Sequence, residues 1–226
     1  MTSPINHKSL KDQVYDYLRL QLRKGRLKPG DEIKMDKTAQ ILGVSKTPLR
    51  DALLQLAMEN FVTIKPRRGV FVNPLTLEDI KNAYEIIGAL ESLAILKAGP
   101  NLAHKDIEIM ERLIEGMKRA ITRDDFDTYY EKNLEFHNIY LNHCHNPHLI
   151  RIVNTLKKRL YDFPRQTRYI REWEENSIEE HEKLLNLLKE KRYEEAANYI
   201  RDVHWSFEVQ KKFILQYYPQ VNSGRK

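Results

Sequence analysis

A single cysteine, Cys144, is present in this 226-residue chain, so no intrachain disulfide can form and no Cys-x-x-Cys motif exists for metal or redox chemistry. No apolar run approaches the 18 or more residues of a membrane span, and the start, MTSPINHKSLKDQV, has no apolar signal-peptide core. These absences lead us to expect a cytoplasmic protein without a membrane partner. Internal repeats and low-complexity segments are also missing, and no strand-like alternation follows residue 73. What is present, 41% hydrophobic and 31% charged residues, is ordinary for a soluble globular chain. The length suits one large or two modest domains, each with a core.

The net charge of +6 is unevenly distributed. Residues 1–73 hold 14 Lys and Arg against 7 Asp and Glu, whereas the remainder holds 24 against 25. A small basic part joined to a larger, nearly neutral part suggests that only the first meets a polyanion.

Residues 7–24 carry apolar side chains at helical spacing and stop at 25-GRLKPG-30. A short helix is predicted at about 36–42. In 43-GVSKTPLRDALLQLAMEN-60, Gly43 supplies a turn, Ser45 a plausible N-cap, and Leu49, Leu53 and Leu56 one face of a third helix. The alternation in 61-FVTIKPRRGVFV-72 predicts two short strands around a tight turn at Gly69. After the linker 73-NPLT-76, apolar stripes predict helices at about 77–98, 105–121, 124–144, 147–162, 176–190 and 193–216. The expected architecture is mainly α: an N-terminal winged helix-turn-helix (1–73) and a C-terminal antiparallel six-helix bundle (74–226) able to enclose a pocket.

A helix-turn-helix reader needs polar and basic residues at the start of its second helix, where base edges are met. Lys46, Thr47 and Arg50 project off the Leu49–Leu53–Leu56 stripe, so Arg50 could pair with guanine and Thr47 with a phosphate or base. A solvated helix start is the plainer reading of these residues. The hairpin argues for the former, because 65-KPRRG-69 places Lys65, Arg67 and Arg68 on a loop tip where Gly69 permits close approach to nucleic acid.

The runs 26-RLKPGDEI-33, 43-GVSKTPLRDALLQL-56 and 66-PRRGVFV-72 resemble the winged-helix domain of GntR-family transcription regulators over residues 8–73. The resemblance implies DNA contacts from Lys46, Thr47 and Arg50, with Gly69 at the wing tip. Lys46 stands where Arg is more usual, which keeps charge but loses bidentate geometry. Asp36 and Lys37 stand where the family often has a basic and then an acidic residue.

On the predicted helix at 124–144, Asn133 and His137 share a face with Phe126, Tyr130, Leu141 and Cys144, whereas His143 does not. His145 and His148 fall in the break around Pro147, where they favour the helix dipole. His181 and His204 also lie on apolar stripes, of two further helices. A lone inward histidine is most often a hydrogen-bonded core residue. Three on three helices also fit a metal site built from facing helices.

The pattern 133-NLEFH-137, 180-EH-181 and His204 is similar to the metal-binding form of the FCD ligand-binding domain, and the six-helix count resembles its VanR-like branch. That resemblance implies Asn133, His137, His181 and His204 as ligands of a divalent ion, zinc or nickel by their imidazole-rich chemistry. Asn133 stands where Asp is more common, so the ion's charge is left uncompensated and open positions should favour an anion such as a carboxylate. Ile87 stands where an effector-clamping Arg is often found. Arg159, at the edge of the Leu149–Val153–Leu156–Leu160 stripe, is the candidate replacement, although an edge Arg also fits a snorkelling surface role.

The expected function is a homodimeric, effector-responsive DNA-binding regulator, of repressor type, on a palindromic duplex operator. Alternatives are a metal-dependent hydrolase or lyase with a fused basic domain, and a regulator whose histidines are purely structural. For the hydrolase, Glu135 is on a different face from His137, and Glu180 is expected to point away from the histidines. Arg50→Ala should abolish specific operator binding in a gel-shift titration at moderate salt. Retained affinity would refute the assigned recognition helix.

Overall fold

The computed structural model describes residues 8–162 and 169–218. It divides into two compact units, one running to Thr76 and including the segment that begins at Lys158, the other beginning at Leu77 and including Lys157.

In the N-terminal unit, α1 (Leu10–Arg23) starts where the Ser9 side chain accepts the Asp12 amide, with Asp12 and Arg23 placed favourably at opposite ends of the helix dipole. The helix gives way to a turn in which Gly25 adopts φ 65°. Helices α2 (Met35–Leu42) and α3 (Lys46–Met58) are separated by Gly43 in the left-handed region at φ 63°. Ser45 occupies the N-cap position of α3 without a side-chain capping bond. Leu49, Ala52, Leu53 and Leu56 turn inward against Val14, Leu18 and Leu22 of α1.

Strands β2 (Val62–Lys65) and β3 (Gly69–Val72) pair antiparallel, with Lys65 opposite Gly69. A further strand, β1 (Glu32–Ile33), pairs with β3 and gives the order β1-β3-β2. Two residues show no measurable alternation, so β1 was invisible in the sequence. Gly69 sits at φ 115°, a backbone conformation that a residue with a Cβ adopts only under strain, and a Cβ there would also displace the end of the Glu32 side chain, 2.9 Å away at Oε1.

The second unit contains α4 (Leu77–Ala98), a short 3-10 turn (Gly99–Asn101), α5 (His104–Thr122), α6 (Phe126–His143), α7 (Pro147–Tyr161, as far as Lys157), α8 (Arg171–Lys189), α9 (Tyr193–Tyr199) and α10 (Phe207–Tyr217). Helix α4 is apolar on most of its surface, buries Ile80, Ile87, Ala94 and Ile95, and packs on α6 and α9. Helix α5 lies against α6 and α8. Its connection to α6 turns at Asp124, φ 55°, and Asp125 then caps α6 by accepting the Thr128 amide.

Two boundaries differ from the sequence expectation. Helix α8 begins at Arg171, five residues early, because Glu172 and Glu174 suit a first turn even though Ile170 offers no cap. The single helix expected over 193–216 is instead α9, a π-helical segment (Ile200–His204) and α10. Trp205 N bonds Ile200 O at 2.9 Å, a five-residue closure, and Ser206 restarts the helix as an N-cap. Hydrophobic periodicity does not register one extra residue in a turn.

Gly88 on α4 permits this arrangement: a Cβ there would meet Trp205 Cβ at 3.1 Å and Arg201 O at 3.4 Å. Gly88→Val should therefore destabilise the helical unit by about 1–3 kcal/mol. The measurement is the urea midpoint of helical circular dichroism, and an unchanged midpoint would contradict the close approach.

Candidate functional site

The N-terminal unit presents its candidate contacts to solvent. Lys46, Thr47 and Arg50 are exposed on the first turns of α3, and Arg67 and Arg68 are exposed at the hairpin tip. Arg67 adopts φ 61° at the turn. Lys65 lies 5.0 Å from the Phe71 ring centroid, which steadies the base of the hairpin. Lys46 forms an ion pair with Asp36 at 2.5 Å. Both side chains are largely exposed, so the pair is worth at most about 1 kcal/mol and Lys46 is easily released.

In the helical unit, three elements bring His137, His181 and His204 together, each with a ring nitrogen within 4.8 Å of the others. His137 Nε2 stands 3.1 Å from His181 Nε2. Two imidazole nitrogens sharing a tetrahedral zinc at 2.0–2.1 Å would be about 3.3 Å apart, so the spacing fits a common ion. His204 is the last residue of the π-helical segment, whose wider turn carries it to the cluster.

The donor atoms suit a metal. Burial and the Lys157 charge outweigh Glu91 and push His137 down to about 4. Burial, with His204 and His137 nearby, holds His181 well below its usual range. Both are therefore neutral at physiological pH, the form that ligates metal. Asn133 Oδ1, one turn before His137 on α6, is buried and has no hydrogen-bond partner among the described residues. An orphaned acceptor of this kind costs about 1–3 kcal/mol unless something engages it. The residues present thus fit a divalent ion.

Around this cluster lies a network that the sequence did not disclose. Glu91 of α4 is fully buried. Its Oε2 accepts from Tyr140 Oη at 2.5 Å and Trp205 Nε1 at 2.9 Å, and it lies 2.9 Å from His137 Nδ1. The buried Lys157 ammonium stands 2.5 Å from its Oε1. Burial alone would raise the Glu91 carboxyl, but Lys157 and His137 hold it well below the carboxylate range. Glu91 sits within an apolar helix, where Lys157 reads as a surface residue, so no linear pattern could have paired them.

Glu180, expected to point away, turns to the cluster: His204 Nδ1 lies 2.7 Å from its Oε2. Glu135 is exposed. Arg159, the candidate effector clamp, is engaged elsewhere, donating to Pro74 O at 2.5 Å and lying over the Phe61 ring. The buried cation beside the histidines is Lys157 instead. His143 is tied to Ile139 O and Asp106, His145 adopts φ 51° beyond α6, His148 is exposed, and Cys144 is buried.

A small three-helix unit with a hairpin wing, carrying basic residues on helix and wing, joined to a helical unit with a buried histidine cluster, defines a DNA-binding regulator. Comparison with known proteins gives the family. Residues 10–72 match the gntR family of bacterial regulatory proteins, and residues 82–203 match the FCD domain. The chain therefore belongs to the GntR family of transcriptional regulators, in the group that carries an FCD domain. It is 27% identical over 190 residues to the HTH-type transcriptional regulator YdhC of Bacillus subtilis, covering 83% of this chain and 84% of YdhC. It is 30% identical over 144 residues to a probable D-xylose utilization operon transcriptional repressor of Paenarthrobacter nicotinovorans, covering 64% and 63%. The solved structure of E. coli McbR/YncC superposes with a TM-score of 0.65 at 26% identity, over 95% of this chain and 99% of that one. Among the described residues no helix is long and apolar enough to cross a membrane.

Removing Glu91 alone would strand the Lys157 ammonium in the interior. Glu91→Ala should cost about 3–5 kcal/mol, whereas Glu91→Ala with Lys157→Met should recover most of that loss. A double-mutant cycle in urea measures the coupling, and additive losses would show that the pair is not the constraint the geometry indicates.

Proposed function

We propose that this chain is a cytoplasmic, homodimeric, effector-responsive repressor whose two winged units (residues 1–73) bind a palindromic operator. Residues 74–226 would sense a small carboxylate-bearing metabolite through a metal-anchored pocket. The observation that supports this most is the convergence of three histidines, with an orphaned amide oxygen one turn before the first of them, in a chain that carries a winged helix-turn-helix. The repressor sign draws on the Paenarthrobacter relative, named a probable repressor.

His137, His181, His204 and Asn133 would hold the ion, zinc or nickel by their donor chemistry. When bound, such an ion supplies open positions that attract a carboxylate. The chain's own residues do the rest. Lys157 and Glu91 hold His137 in place, and Trp205 closes one side of the cluster over them. In the DNA-facing unit Arg50 would read a guanine, Thr47 and Lys46 would contact the backbone or a base, and Arg67, Arg68 and Gly69 would bring the wing against the duplex. Loss of the Lys46–Asp36 pair on DNA would cost little, for the reason given above. Effector control needs a ligand that favours one arrangement of the two winged units, and a tenfold change in operator affinity needs a differential of only about 1.4 kcal/mol.

Metal analysis of the purified protein, combined with a thermal-shift screen of carboxylates on wild type and His181→Ala, tests this reading. Wild type should retain metal and be stabilised by at least one carboxylate, while the variant loses both properties. Equal shifts in the two proteins would defeat the metal-anchored pocket. If the histidines were purely structural, chelation would lower the melting temperature and leave the effector response intact.

A further inference from the structure

Three neutral imidazoles and a neutral amide would receive two positive charges with a divalent ion, in a buried site. Two carboxylates touch this cluster, and they are not equivalent. Glu91 faces the Lys157 ammonium at 2.5 Å, so its charge is already matched. Glu180 has a side chain only 13% exposed, and its hydrogen-bond partners are His204 Nδ1 at 2.7 Å and Gln210 Nε2 at 2.8 Å. Among the described residues no lysine or arginine pairs with it. A carboxylate removed from water to this degree is costly without a positive partner close by.

The hydrogen bonds around Glu180 have a determined direction. An indole N–H only donates, so Trp173 Nε1 donates to Gln210 Oε1 at 2.8 Å. That contact fixes the Gln210 amide and aims its Nε2 at Glu180 Oε1. A carboxylate only accepts, so His204 Nδ1 carries the proton donated to Glu180 Oε2, which leaves Nε2 as the ring nitrogen that could offer a lone pair to an ion.

We propose that Glu180 is the positioning residue and charge counterpart of the metal centre: through the His204 Nδ1–H it sets that imidazole as an Nε2 donor and supplies the negative charge that the four ligands lack. Carboxylates behind ligating histidines commonly act in this way. Trp173 and Gln210 hold Glu180 in position, so a chain of three hydrogen bonds runs from α8 through α10 to the histidine. This inference rests on the histidine cluster being a metal centre.

The test is competition between the full-length, metal-free protein and a chromophoric chelator for Zn²⁺ and Co²⁺. The proteins compared are wild type, Glu180→Gln, Glu180→Gln with Asn133→Asp, and His181→Ala. Glu180→Gln should bind metal about 10–100-fold more weakly, with an altered Co²⁺ absorption spectrum. Adding Asn133→Asp should restore about tenfold or more, because it returns a negative charge to the donor set, an effect that a merely structural Glu180 would not produce. Melting of the metal-free proteins checks folding. If Glu180→Gln does not fold, Gln210→Met replaces it, with an expected loss of about threefold to tenfold. Affinity within twofold of wild type, or no rescue by Asn133→Asp, overturns the role of Glu180 while leaving the metal centre standing. Wild type binding no tighter than His181→Ala overturns both.

Discussion

The Glu91 carboxylate is the constraint around which the helical unit is organised. It projects from an apolar helix and meets groups from three other places: His137 and Tyr140 on α6, Lys157 on α7, and Trp205 just past the π-helical segment. Desolvating a carboxylate and an ammonium costs several kcal/mol each, so the pair adds little net stability over a well-packed apolar substitute. Its effect is on definition. Any register of α4, α6 and α7 that parts Glu91 from Lys157 leaves a bare charge in the interior. Lys157 pairs with Oε1 and His137 lies against Oε2 of the same carboxylate, and so the scaffold and the site share one anchor.

The second determinant is the π-helical turn at Ile200–His204. A continuous α-helix would carry the residues after 200 around at the usual 3.6-residue period. The five-residue closure instead turns His204 to His137 and His181, and Trp205 to Glu91, while Gly88 leaves room for the Trp205 backbone and Cβ. Ser206 then starts α10, which returns Gln210 to Glu180. A local departure from regular geometry thereby delivers a histidine of the cluster, an anchor and a supporting contact within eleven residues, in keeping with the tendency of π-turns to fall at functional sites.

The two units divide their chemistry by solvent. On the winged unit every charged candidate contact is exposed, which suits a polyanion met across screened water, where single charges contribute modestly and add up. In the helical unit His137 and His181 are buried and His204 nearly so, which suits a small ligand selected by a few desolvated groups.

Much of this was legible without coordinates. Amphipathic spacing located α1 through α7 to within a few residues, and the alternation in 61-FVTIKPRRGVFV-72 revealed the hairpin, because a side chain's face follows directly from the 3.6- and 2-residue periods. The histidines, too, were legible as inward-facing, and three neutral rings on separate helices already suggested one meeting point. Strand β1 was not legible, being two residues long. Neither were the partners of those rings: Lys157 and Arg159 are two residues apart on one helix, and only the folded chain sends the first to Glu91 and the second to Pro74. Periodicity reports which way a residue faces from its own axis. Which charge it meets there depends on the placement of other helices, and on one extra residue in a turn, so those pairings were decided by the tertiary structure alone.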